Sequence, residues 1–141
     1  MSDFYKYFKE NMDALHLPAP ENLYGSVATA QANISGMLAY IDKFGTRVTV
    51  LEMIGAGTNV ELFATAGALQ GAIYIGAAIG SLAVASGRTL AGGTSLADVL
   101  FEASRWNLKR DWLLPLLHRN PGMYDASVPG RKYYKLYENF K

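Results

Sequence analysis

Apolar positions return at helical intervals in the first part of the chain. Phe4, Phe8, Met12 and Leu15 fall on one side and Lys6, Glu10 and Asp13 on the other, which predicts a helix over roughly 3–16 behind Ser2 as N-cap. Pro18 and Pro20 stop it. The next segment, 22–41, holds no charged residue, yet Gln31, Asn33 and several hydroxyls make it too polar for an ordinary membrane span. Ala28, Ala32 and Gly36 recur every four residues and predict a smooth helical face. That helix extends to about Lys43, with Gly45 closing it at C′. Over 46–54, Val48 and Val50 alternate with Arg47 and Thr49. A lone strand would lack a partner, so a short helix is expected.

Gly55-Ala-Gly57 marks a break, and a long helix is expected over 58–86 with Gly87 past its end. Gly92-Gly93 marks a second break. Ser95 with Asp98 three residues on resembles a capping box and opens a helix expected to run to about Arg110, with Val99, Leu100, Ala103, Trp106 and Leu108 available for burial. Asp111 starts another short helix that Pro115 kinks or restarts, and Asn120-Pro121-Gly122 reads as a turn. The last twenty residues, rich in tyrosine, read as loop or extended chain. The elements describe one all-α domain over 1–141, a compact helical bundle around the 58–86 helix.

The central segment carries the most information. Between Glu61 and Arg88 no residue is charged. As a helix this run would be roughly 39 Å long at about 1.5 Å per residue, against about 30 Å for a bilayer's hydrocarbon core. Ala64, Ala68, Ala72, Gly76 and Gly80 form an i,i+4 ladder; Ala64, Gly71, Ala78 and Ala85 form a heptad stripe with Gly67 beside it. Small stripes let two helix backbones approach closely. Each glycine costs a helix in water about 1 kcal/mol relative to alanine, so close packing or lipid must compensate. Large apolar residues favour insertion, while glycine, Gln70, Thr65 and Ser81 oppose it. The balance on an insertion scale is near zero, which suits either a buried central helix or a membrane-inserted one.

The pattern Gly67-Ala-Leu-Gln-Gly71, continued by Ala72, Gly76 and Gly80, resembles a glycine zipper. Such zippers occur in small bacterial toxins that permeabilise membranes, including effectors delivered by type VI secretion. The resemblance covers about 25 of the 141 residues. It implies insertion into a target cell's inner membrane, an ion-permeable pore, bacterial membrane lipid and a homo-oligomer as partners, and a cognate immunity or delivery protein.

Composition adds to this picture. The 141 residues include no cysteine, so neither disulfides nor thiol chemistry enter. The beginning lacks the basic and apolar regions of a signal peptide, which predicts synthesis in the cytoplasm and, if the protein is secreted, a signal-independent route. The formal net charge of +1 conceals an asymmetry: residues 1–104 carry −4 and residues 105–141 carry +5. The basic C-terminal part suits anionic lipid, nucleic acid or an acidic partner. Arg105, Trp106, Lys109, Arg110 and Trp112 set two indoles among three cations, as at a membrane interface. The plainer reading is a surface helix anchored in the core by its tryptophans. Arg131-Lys-Tyr-Tyr-Lys-Leu-Tyr mixes base and aromatic as a nucleobase-stacking segment would, but a tail packed by its tyrosines is the preferred reading, and nucleic acid is not expected as a partner. The 48–57 segment resembles the opening of a dinucleotide-binding unit, yet Val60 stands where its third glycine would be.

Little supports catalysis. His16 and His118 are far apart, no metal-ligand spacing is found, and a Glu52/Glu61 pair reads as solvated charge. No enzyme, metal or cofactor is expected. The leading expectation is a membrane-acting bacterial toxin or effector; the alternative is a soluble all-α adaptor or structural protein that buries the same helix in an oligomer or partner interface.

Overall fold

The protein's structure, a computed structural model, describes residues 3–54, 70–87 and 95–125. The first helix, α1 (Asp3–Ala14), buries Phe8 and Met12 of the expected stripe, with Leu15 buried just past its end; Phe4 is half-buried, and Tyr5 and the polar Asn11 are buried beside them. It ends on a Schellman motif, in which His16 is left-handed (φ 58°) and donates to Asp13 O, and Leu17 donates back to Met12 O. Pro18 and Pro20 then carry the chain into one turn of helix, α2 (Glu21–Tyr24).

The segment expected to form one helix from residue 22 is divided. Ser26 is extended and its hydroxyl accepts from Thr29 N, so α3 (Val27–Phe44) starts with its own cap. Gly45 closes it as expected, at φ 97°, with its N–H on Ile41 O. The inward face of α3 is Ala30, Ile34, Met37, Leu38 and Ile41. The Ala28, Ala32 and Gly36 face points to solvent instead, and nothing lies within 4 Å of where a Gly36 Cβ would stand. The larger side chains win the core because burial scales with apolar area, about 25 cal/mol per Å².

The short helix expected within 46–54 forms, over fewer residues. Thr49 makes an isolated antiparallel bridge to Gln70, and α4 (Val50–Ile54) follows. Thr49 and Glu52 cap α4 reciprocally: Thr49 N donates to Glu52 Oε1 at 2.8 Å, and Glu52 N to Thr49 Oγ1 at 3.2 Å. The bridge also corrects the long helix. Gln70 is not helical, and the central helix, α5, is Gly71–Gly87. Its first residue is fixed by a tertiary bond, Gly71 N to Val48 O at 2.6 Å. Ala64, Gly67, Ala68 and the rest of 55–69 lie outside the described residues, as do Ser2, Gly92-Gly93 and the tail from 126.

Ser95 and Asp98 form the expected capping box at the start of α6 (Leu96–Arg105). The helix ends a turn earlier than the pattern suggested. Asn107 is left-handed (φ 61°) and donates to Ser104 O, while Leu108 donates to Ala103 O, a second Schellman motif. The last helix, α7 (Leu113–Arg119), carries Pro115 in its first turn, where a missing N–H costs no helical bond. Pro121–Met123 form a 3-10 turn at the expected turn sequence.

The fold is all-α, a compact helical bundle. Its axis is α5, thirteen of whose seventeen residues are buried, so it has no polar side to give to water. Helices α1, α3 and α6 pack around it, and α7 with the 3-10 turn closes the remaining side.

Candidate functional site

Ala72, Gly76 and Gly80 follow one another at four-residue steps and share a face of α5. At Gly76 and Gly80 that face leaves no space for a side chain. A Cβ on Gly76 would stand 2.6 Å from Leu116 Cδ2 and 3.2 Å from Met123 Sδ. One on Gly80 would stand 2.6 Å from the backbone oxygen of Met123. At the N-terminal end, a Cβ on Gly71 would come 3.1 Å from Met53 Sδ and 3.2 Å from Val48 O. At Gly76 and Gly80 the ladder therefore receives the C-terminal segment, while the exposed Ala28, Ala32 and Gly36 face of α3 takes no part in it. Leu116 and Met123, the residues that fill it, carry no mark in sequence beyond being apolar.

Two polar nodes hold α5 in place. The Asn11 amide donates to Ser81 Oγ at 2.8 Å and to Met123 O at 2.9 Å, tying α1, α5 and the 3-10 turn together. A signal for it existed: a polar residue between Phe8 and Met12 on an otherwise apolar stripe. On another side, the hydroxyls of Tyr24 and Tyr74 lie 2.8 Å apart, and Tyr74 donates to Pro18 O at 2.9 Å. Both rings are fully buried, and burial pushes both phenols above their ordinary range.

The interfacial set is largely engaged within the bundle. Glu102, buried, accepts from Trp106 Nε1 at 3.0 Å and pairs with Arg105 at 3.5 Å. The Arg105 guanidinium also sits 5.1 Å over the Trp106 ring. Arg110 forks onto Asp42, Nε to Oδ1 and Nη2 to Oδ2, both at 3.0 Å, and so ties the α6–α7 connection to the end of α3. Lys109 is exposed, and Trp106 and Trp112 are half-buried against the core.

Beyond Gly80, Ala83 and Gly87 line a shallow groove of about 260 Å³ with Asp98, Phe101 and Glu102. His16 and His118 are both exposed, and Glu52 is occupied as a cap. Among the described residues, no three His, Cys, Asp or Glu side chains come together as a metal site, and no helix is long and apolar enough to cross a membrane. No protein family, no curated protein and no solved structure matches the chain.

Proposed function

We propose that this protein is a membrane-acting bacterial toxin or effector, held in water as a helical bundle until α5 enters a lipid bilayer and opens an ion-permeable path. The observation that carries this reading is α5 itself: apolar on every side, free of charge and carrying glycines at which an added Cβ would meet its neighbours. A helix without a polar face belongs either to a protein core or to a membrane. Glycines make poor helix in water but good helix–helix contacts in lipid. Delivery by type VI secretion, a cognate immunity protein and assembly into a homo-oligomer follow from the glycine-zipper resemblance and form part of the proposal.

A second reading rests on length. At about 1.5 Å per residue α5 spans roughly 25 Å, short of the about 30 Å of a hydrocarbon core. That favours a helical adaptor or structural protein in which α5 is simply the core. Dye release from anionic liposomes separates the two. The first reading expects release by the purified protein and depolarisation of bacterial cells; the second expects neither.

Ile75→Asp sharpens the comparison. A charge near the centre of a span costs about 2.5–3.5 kcal/mol on the translocon scale, more than a segment of near-zero insertion energy absorbs. Ile75 is fully buried, so folding of this variant is checked by circular dichroism. A folded variant without dye release supports insertion of α5; a folded variant with undiminished release removes it.

A further inference from the structure

We infer that the corner around Phe44, where α3 turns toward α4, docks on an anionic lipid surface and brings the Gly71 end of α5 to the bilayer. The inference rests on the membrane-acting reading above and adds which end of the bundle meets the lipid.

The fold gathers cations here from both halves of the chain. Arg110 forks onto Asp42, which sets the α6–α7 connection and its exposed Lys109 beside the end of α3. Lys43 is exposed at that end, and Arg47 is exposed just past Gly45. Two of the acidic groups nearby are engaged: Asp42 by Arg110, and Glu52 by the N–H and hydroxyl of Thr49. Among the described residues no ion pair takes Lys43, Arg47 or Lys109, so free positive charge outweighs the exposed Asp111. Phe44 stands among these cations, 56% exposed. Its ring leans on Tyr40, with centroids 4.6 Å apart, and the Lys43 ammonium lies 5.3 Å from its centroid. Such a group suits the headgroup level of an anionic bilayer, where the ring meets the apolar boundary and the cations meet the headgroups.

The other end of α5 has the opposite character. Phe101 is more exposed, at 67%, but it shares its groove with Asp98, Glu102 and Gly87, the last residue of α5. With Arg105 paired to Glu102, the charge left there is that of Asp98, which an anionic surface repels. The Phe44 corner is joined to the first residue of α5 by the bond from Gly71 N to Val48 O. At about 1.5 Å per residue the two ends of α5 lie roughly 25 Å apart, more than a Debye length at physiological salt. Exposure alone favours Phe101, whereas charge favours Phe44. The pair therefore separates docking at this corner from non-specific adhesion.

The chain has no cysteine, so a single introduced thiol carries an environment-sensitive dye at one known place. Phe44→Cys and Phe101→Cys, both at exposed positions, are labelled in the full chain and mixed with phosphatidylglycerol vesicles. The dye at position 44 should shift to the blue and be quenched by a lipid-borne quencher, and the dye at position 101 should do neither. Equal responses, a larger one at position 101, or none at position 44 would overturn the inference. In unlabelled protein, Lys43→Gln with Arg47→Gln should lower partitioning onto these vesicles at least about tenfold, while Arg47→Lys alone should keep it. Unchanged partitioning in the double variant would overturn the inference as well.

The membrane-acting reading fails or stands separately. A dye at position 44 that enters lipid, with no leakage of vesicle contents, upholds docking at this corner and removes pore opening. Leakage with no response at position 44 does the reverse. A response at position 44 to duplex DNA, with none to vesicles, would assign the corner to a phosphate polymer and overturn its assignment to lipid.

Discussion

At Gly80 an added Cβ would stand 2.6 Å from a backbone oxygen, while at Gly36 it would meet nothing within 4 Å. The same substitution should therefore have opposite signs. Gly36→Ala, on an exposed helical face, should stabilise by about 0.5–1 kcal/mol. Gly80→Ala meets backbone that cannot rotate away, and an overpacking cost of about 1–3 kcal/mol should outweigh the helix-propensity gain. Urea midpoints of the two variants check this, and a stabilised Gly80→Ala would contradict the close approach. The tyrosine pair sets a second residue-scale expectation. In the unfolded chain the Tyr24 and Tyr74 phenols ionise near 10, whereas burial holds both protonated above that value in the fold. Their contribution is complete below the unfolded value and falls as pH rises from about 10. Urea denaturation across that range should show the decline, and Tyr24→Phe should flatten it. An unchanged alkaline profile in that variant would assign the loss to other groups.

The elements divide by how local their determinants are. Ser95 with Asp98, Gly45, and Pro18 with Pro20 all mark boundaries through bonds or clashes within a few residues, and each was readable from the chain alone. Thr49 with Glu52 is a local signal of the same kind, a reciprocal cap at the start of the short helix expected over 46–54. Other boundaries had no local mark. The start of α5 at Gly71 depends on Gln70 meeting Thr49 and on Gly71 N reaching Val48 O, contacts across more than twenty residues. No charge or proline near Gln70 announces it. Small-residue stripes were visible on both α3 and α5, but a stripe does not say whether it faces a neighbour or water; the larger residues on the opposite face decide that. Ser95→Ala should cost about 0.5–2 kcal/mol and speed exchange of the α6 amides, Val99 among them. Hydrogen bonds from Ser95, chiefly its backbone N–H, hold the Asp98 carboxyl below its ordinary range. The Asp98 part of this cap is therefore present above the ordinary carboxylate pKa and weakens as the pH falls through and below it. Amide exchange of α6 that is identical in Ser95→Ala and the natural chain would remove the cap's role.

Across the whole molecule the charge asymmetry is partly spent inside the fold. Arg110 is committed to Asp42 and Arg105 to Glu102, whereas Lys109 is exposed. A test of lipid attraction therefore leaves Arg110 alone, because reversing it would set two carboxylates against each other. Reversing Lys109, Arg131 and Lys132 to Glu should weaken binding to anionic vesicles, most at low salt, where exposed charges are least screened. Co-sedimentation with vesicles at two salt concentrations checks it; undiminished binding would show that these cations do not recruit the protein.

The Asn11–Met123 bond joins positions 112 apart in the chain, and this has a consequence for how the protein is made. The chain leaves the ribosome from its N-terminus, so α5 emerges before the residues that seat on its glycines. At about 5–20 residues per second, the interval from the end of α5 to Tyr124 is on the order of 2–7 s. For that time each nascent chain carries an apolar helix without α6, α7 and the 3-10 turn that later pack on it. Each molecule thus passes once, during translation, through a form in which α5 is only partly packed.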